Sequence, residues 1–156
     1  MEIRNIDRSE IGSVVQLMRE FAAFEDLAEY CTITPAKLDD SVFGDSCFVE
    51  CVVAVDEREL IGYAIFYPHF ASFRGQTGYY LEDIFLTDGY RRKGVGELII
   101  RHIAKLAIAR GFERIDFQVL DWNTHAVEFY QRLGAERDDS ERHFKFAGDA
   151  FRSLAR

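Results

Sequence analysis

Several things are scarce in this 156-residue chain, and each scarcity excludes something. No run approaches the ~18 consecutive apolar residues of a membrane span, so no membrane partner is expected. The segment Met1 to Asp7 carries charges at Glu2, Arg4 and Asp7 and has no apolar stretch of the kind that begins a secretory signal. The expected location is the cytoplasm. Cysteine is limited to Cys31, Cys47 and Cys51. The Cys47-x-x-x-Cys51 pair has no second Cys or His pair to complete a tetrahedral site, so no metal is expected. The two would share a strand face, which leaves a disulfide open, but buried reduced thiols are the expectation. Basic residues are outnumbered, 19 Lys and Arg against 27 Asp and Glu, for a formal charge of −8. A nucleic-acid binder normally shows the opposite balance. There is no linker, repeat or low-complexity run.

What is present suits a single domain over 1–156. Chains of ~100–200 residues usually enclose one core, and a chain of this size buries enough surface to need no staple. The hydrophobic share is 48% and the charged share 29%, ordinary for a globular protein.

The pattern along the chain is mixed α/β. Glu2 to Ile6 alternates as a strand. Asp7 and Glu10 resemble a capping box, and Ile11, Val14, Val15, Met18 and Phe21 follow at helical spacing to about Phe24. Thr34-Pro35 opens a second helix, to about Phe43. Phe48–Val55 and Leu60–Tyr67 read as a hairpin around a polar turn. Pro68 to Gly78 reads as a loop, and Tyr79–Leu86 as the next strand. A third helix follows Gly94 and Gly96, with Val95, Leu98, Ile99, Ile103 and Leu106 as its buried stripe, and ends at Gly111. Arg114–Leu120 is a strand. Asn123 caps a last helix that ends at Gly134. Two final strands are expected near Ala135–Asp138 and Arg142–Phe146.

The strand, then Arg91-Arg92-Lys93-Gly94-Val95-Gly96, then helix, is the most informative feature. N–H groups at a helix start lack intrahelical partners, and the helix dipole adds positive potential there. Glycine lets a phosphate approach without a Cβ in the way. Arg91, Arg92 and Lys93 add three positive charges, which suits a diphosphate. The bare string appears by chance in roughly one chain in ten of this length; its place between an apolar strand and an amphipathic helix gives it weight. It is not a P-loop, since Gly96 is followed by Glu97-Leu98. It is not a dinucleotide fingerprint, since Ile99 stands where a third small residue belongs. A glycine-rich turn with solvated charges is the bland alternative, and a nucleotide phosphate held in another way remains open.

Here the sequence resembles the GNAT acetyltransferases, whose acetyl-CoA motif [RQ]-x-x-G-x-[GA] is matched by Arg91, Gly94 and Gly96. The element order agrees over nearly the whole chain. Local wording is similar to the diamine branch (spermidine/spermine and thialysine acetyltransferases): Tyr80-Leu81-Glu82-Asp83-Ile84-Phe85, Trp122-Asn123 with Phe129-Tyr130, and Phe24-Glu25. The resemblance implies a mixed, mostly antiparallel sheet of six to seven strands with four flanking helices. It also implies transfer of an acetyl group from acetyl-CoA, as cosubstrate, to a primary amine of a small cationic molecule such as a polyamine, a diamine or thialysine. Cofactor contacts would come from Arg91, Arg92, Lys93, Gly94, Val95, Gly96 and Glu97 around the pyrophosphate. Ile84, Phe85 and Leu86 would lie along the pantetheine arm, with Asn123 on the arm and Tyr130 by the sulfur. The amine site would draw on Phe24, Glu25, Glu82 and Asp83. A homodimer is implied too. Phe24 stands where the branch has tyrosine, and the stretch Asp138-Asp139-Ser140-Glu141 is shorter than its counterpart.

The chemistry assigns roles. Glu82 would accept the ammonium's proton through water, since a carboxylate near pKa 4 is a weak direct base for an amine near 10. Its bland reading is an ion-pair partner on a strand. Asp83, one residue on, would point to the other sheet face, so both line one pocket only if a bulge intervenes; Glu82 is favoured. Tyr130 would protonate the departing thiolate, although its helix pattern also reads as a core stripe. The oxyanion donor would be a backbone N–H near Phe85. The acids Glu25, Glu29, Glu82, Asp116 and Asp121 either form a negative pocket or are scattered surface charge. Trp122 reads as packing. The competing readings are an amino-acid or protein-amine acetyltransferase and a non-catalytic acyl-CoA-binding regulator.

Overall fold

The computed structural model describes residues 1–155. They form two compact units, residues 1–118 and 119–155.

The first unit is built on five strands: β1 (Glu2–Asn5), β2 (Glu50–Asp56), β3 (Glu59–Ala71), β4 (Gln76–Leu86) and β5 (Arg114–Phe117). They lie side by side in chain order. The first four pair antiparallel, and β4 pairs with β5 in parallel. Helices α1 (Ile11–Phe24) and α2 (Pro35–Phe43) pack on one face and α3 (Val95–Ala109) on the other. The sheet's alternation divides the core accordingly. Val53, Tyr63, Ile65 and Phe85 join α1 and α2 residues, while Val52, Ala64, Phe66 and Leu81 join Val95, Ile99 and Ile103 of α3.

Local chemistry explains most boundaries. The Glu10 carboxylate accepts from the Asp7 N–H at 2.9 Å, so the chain is turned before α1. Thr34 Oγ1 accepts from the Lys37 N–H at 3.3 Å, and Pro35 supplies a preset φ at the first position of α2. Glu57 and Arg58 both take positive φ in the β2–β3 turn, the twist a two-residue hairpin needs.

Three expectations are corrected. The segment Pro68–Gly78 is not a loop: β3 runs to Ala71, a short 3₁₀ turn spans Ser72–Arg74, and β4 resumes at Gln76. Pro68 pairs with Tyr79 inside the hairpin. It is tolerated because β2 starts at Glu50, opposite Phe66, and beyond Phe66 the outer side of β3 has no strand among the described residues to receive a donor. Leu98 is 48% exposed and leaves the α3 stripe to Val95, Ile99, Ile103 and Ala107. At ~100° per residue, it lies a third of a turn from that stripe's centre.

The third correction concerns the second unit. It holds α4 (Thr124–Arg132) and α5 (Gly148–Leu154). The expected strands at Ala135–Asp138 and Arg142–Phe146 are absent, so the sheet has five strands rather than six or seven, and the α-helices number five rather than four among the described residues. Asp138 Oδ1 accepts from both the N–H and the hydroxyl of Ser140, at 2.8 and 2.5 Å. That turn competes with a ladder for the backbone. Among the described residues no helix is long and apolar enough to cross a membrane, and no cluster of three His, Cys, Asp or Glu is placed to hold a metal.

Candidate functional site

A loop follows β4, with a 3₁₀ turn at Asp88–Tyr90, and ends in α3. Gly94 caps the helix at φ +81, a left-handed conformation that a side chain disfavours, and a Cβ there would meet nothing within 4 Å. The helical ladder begins with the Leu98 N–H donating to Gly94 C=O at 3.2 Å. The N–H groups of Val95, Gly96 and Glu97 therefore precede it and project from the helix start. Arg92 and Lys93 are exposed beside them. Arg91 is not: its Nε donates to Leu86 C=O at 2.8 Å, its Nη1 pairs with Asp88 at 2.7 Å, and its guanidinium lies over the rings of Phe24 and Phe85.

The pairing of β4 with β5 ends at Leu81 and Phe117. From Glu82 to Leu86, β4 keeps β3 on one side and has no strand on the other among the described residues. An extended chain bearing amide groups can pair along that edge, and Ile84, Phe85 and Leu86 lie on it.

The break coincides with a bulge. Ile65 faces Asp83, but Phe66 faces Leu81, so Glu82 is the extra residue. The alternation that would set Glu82 and Asp83 on opposite faces is thereby cancelled. Tyr63 Oη donates to Asp83 and Tyr67 Oη to Glu82, each at 3.1 Å. Tyr63 and Tyr67 are four apart on β3 and share a face, so both carboxylates are held from one side of the sheet.

Asp83 lines a cavity of about 380 Å³ with Met18, Phe21 and Glu25 of the α1 region and Leu27 and Tyr30 beyond it. Burial pushes the Asp83 carboxyl up to about 6, and Glu82 and Glu25 push in the same direction. Burial also raises Glu25. The cavity is therefore a place where negative charge is crowded and poorly solvated, and a cation relieves that. Lys37 reaches the rim, but its Nζ donates to Thr32 C=O at 3.2 Å.

Three comparisons bear on this geometry. The sequence model of the Acetyltransferase (GNAT) family matches residues 14–135. A thialysine N-epsilon-acetyltransferase of Bos taurus is 33% identical over 165 residues, covering 98% of this chain and 96% of that protein. The chain belongs to the GNAT acetyltransferase family. An L-ornithine N5-acetyltransferase of Arabidopsis thaliana is 39% identical over 93 residues, 60% of this chain and 41% of that protein. A solved integron cassette protein from the mobile metagenome of V. cholerae superposes with a TM-score of 0.82 at 23% identity, over 99% of this chain and 96% of that one. It supports the GNAT fold.

Set against the GNAT motif, the first unit brings Gly94, Val95, Gly96, Glu97, Arg92 and Lys93 to the helix start, and Glu25, Asp83 and Glu82 to one region of one sheet face. Glu97 is held by Arg101 Nε at 2.8 Å. Phe24 is 45% exposed, with Arg91 over its ring. Asp116 does not join the acids: Arg114 grips it with two 2.6 Å bonds and His69 Nε2 lies 2.6 Å away. Those partners, Arg114 first, hold its carboxyl below the usual range. Glu29 is exposed, and Asp121 belongs to the second unit.

In that second unit Asn123 caps α4, its Oδ1 accepting from the Ala126 N–H at 3.2 Å. Tyr130 is 8% exposed, and burial raises its phenol. Trp122 is 54% exposed. Sequence reasoning missed Tyr63, Tyr67 and Tyr30. Tyr63 and Tyr67 look like ordinary strand aromatics; Tyr63 meets Asp83 by the regular register, and the bulge brings Glu82 to Tyr67.

Proposed function

We propose that this GNAT acetyltransferase moves the acetyl group of acetyl-CoA to a primary amine of a small cationic substrate: a diamine, a polyamine or a thialysine-like amino acid. The observation that carries this is the cavity bearing Glu25 and Asp83, with Glu82 bulged onto the same face. A neutral amine would leave those carboxylates unrelieved, whereas a substrate with a second positive group pairs with one while its reacting amine sits by another. Thialysine and ornithine, named as the substrates of the bovine and plant relatives, are both amines on short chains with further charge.

In this reading the helix start at Val95 to Glu97, with Arg92 and Lys93, holds the pyrophosphate, and the edge of β4 from Ile84 to Leu86 holds the pantetheine. Acetyl-CoA supplies an activated thioester. Glu82 accepts a proton from the ammonium through water, and a backbone N–H near Phe85 donates to the oxyanion. The resemblance assigns Asn123 to the arm and Tyr130 to protonation of the leaving sulfur; a phenol raised by burial keeps its proton at neutral pH. The reading takes 1–156 as one catalytic domain, working as a homodimer in the cytoplasm.

The deciding experiment is thiol release from acetyl-CoA with spermidine, putrescine, thialysine, ornithine, lysine, a peptide amine and a neutral monoamine. Turnover is expected with the small dications and polyamines and to be weak with the monoamine. Preference for the peptide amine would favour a protein acetyltransferase. Binding of acetyl-CoA without transfer to any amine would favour a regulator.

A further inference from the structure

The motif's first residue, Arg91, is half-buried and its side chain is tied into the first unit, whereas Arg92 and Lys93 are exposed, with Lys93 Nζ 5.4 Å from the centroid of the Tyr90 ring. Its Nε donates to Leu86 C=O at 2.8 Å, which ties the loop to the end of β4. Its Nη1 pairs with Asp88 at 2.7 Å, within the loop itself. Its guanidinium carbon lies 4.3 Å from the centroid of Phe24, at the last residue of α1, and 5.2 Å from that of Phe85. Phe85 in turn stacks on Phe21 at 5.4 Å. Phe21 and Glu25 line the acidic cavity. One guanidinium thus touches the loop that carries the helix-start N–H groups and both routes into the cavity wall. Lysine cannot reproduce this, because a point charge lacks both the planar face and the fork.

We infer that Arg91 is a positioning residue for the amine substrate: it fixes the Phe24–Glu25 end of α1 against β4 and couples that wall to the cofactor loop. This rests on the acetyl-transfer reading above. The two substrates then bind with mutual assistance, since a loop ordered by acetyl-CoA holds the wall that the amine needs, and linkage makes the effect reciprocal. The exposed Arg92 and Lys93 carry the charge that meets the pyrophosphate.

The test compares Arg91→Lys, Phe24→Leu and the double variant with wild type. Acetyl-CoA Kd by calorimetry is expected to change by less than about twofold in Arg91→Lys. The KM of the best diamine is expected to rise about five- to tenfold, from loss of a partly desolvated cation–π contact. The double variant is expected to be no worse than Arg91→Lys alone, because the contact that Phe24→Leu removes is already lost there. Hydrogen exchange on the ligand-free proteins gives a readout that needs no turnover. The N–H groups of Glu25 and Leu27, bonded to Phe21 and Ala22 at 3.0 and 2.8 Å, are expected to exchange about tenfold faster in both single variants. If Arg91→Lys weakens acetyl-CoA severalfold and leaves the amine KM unchanged, Arg91 is a phosphate ligand and the inference fails. Additive effects in the double variant, or unchanged exchange at Glu25 and Leu27, also overturn it. Should wild type transfer no acetyl group at all, the proposed function fails, while the exchange comparison still decides whether Arg91 holds the wall. If Arg91→Lys does not fold, Phe24→Leu removes the same contact without altering the loop.

Discussion

Tyr63 and Asp83 are joined across β3 and β4 by a 3.1 Å hydrogen bond, with the phenol as donor. Tyr63 is fully buried, and burial together with the neighbouring carboxylate raises its own pKa, so it stays a donor throughout the neutral range. Asp83 consequently has one fixed bond, while Glu25 faces it in the cavity and Glu82 adjoins it on the strand. The arrangement holds a carboxyl in place without neutralising it, which leaves the neutralising to a ligand.

Asp83 should make stability depend on pH in a direction opposite to that of most carboxylates. Its folded pKa, about 6, lies above the ordinary value of 3.8. The folded state therefore binds more protons between those values, and stability falls as pH rises from about 4 to about 6, then levels. Asp83→Asn removes that fall. Urea midpoints of the variant and wild type should agree near pH 4 and diverge above pH 6. There the variant should be more stable, by on the order of 3 kcal/mol. Equal midpoints at pH 7.5 would mean that Asp83 is better solvated than its burial indicates.

The elements that were legible in the sequence are those decided locally. Thr34-Pro35 announces α2, Gly94 and Gly111 bracket α3, and Asn123 opens α4, because a cap or a left-handed glycine acts within a turn of its own position. What escaped was decided by neighbours. Pro68 reads as a breaker until β2 is seen to start only opposite Phe66. Ala135–Asp138 and Arg142–Phe146 read as a final strand pair, the second with Phe144 and Phe146 in alternation, but a strand needs an edge, and between the two Ser140 turns back on Asp138. The bulge at Glu82 has no composition signal, since it is a two-against-one count between strands. Within the candidate site, the glycine loop and the acids Glu25, Glu82 and Asp83 were visible as residues. Their shared face, and the inward turn of Arg91, were not.

Tyr130→Phe tests the assigned acid. Removing a proton donor from a positioned site costs ~10²–10⁴-fold in rate. The expected outcome is a kcat at least about a hundredfold lower, with acetyl-CoA Kd little changed, since the ring and its packing remain. Stopped-flow thiol release and calorimetry check the two quantities. A fully active variant removes Tyr130 from the chemistry.

Gly94→Ala tests the helix start. At φ +81 a Cβ costs ~1–2 kcal/mol, although nothing lies within 4 Å to clash with it. A lower urea midpoint is expected, together with a severalfold higher acetyl-CoA KM as the loop relaxes away from its left-handed cap. Gly89→Ala is the control: it too has nothing within 4 Å, but its φ is not left-handed. If both variants bind acetyl-CoA like wild type, the conformation at Gly94 is not what shapes the cofactor site.

Glu82→Gln separates the two carboxylates that the bulge brings to one face. Tyr67 can still donate to a glutamine oxygen, so the strand geometry should survive while the proton acceptor is lost. If Glu82 accepts the substrate's proton, the low-pH limb of kcat/KM should flatten, and the rate at pH 8 should drop about a hundredfold or more. If the limb persists with a midpoint near 6, that is where burial puts Asp83, and Asp83 is then the acceptor. In that case Asp83→Asn should remove the limb that Glu82→Gln left in place. Chemical denaturation of each variant at pH 8 distinguishes a lost proton acceptor from a lost fold.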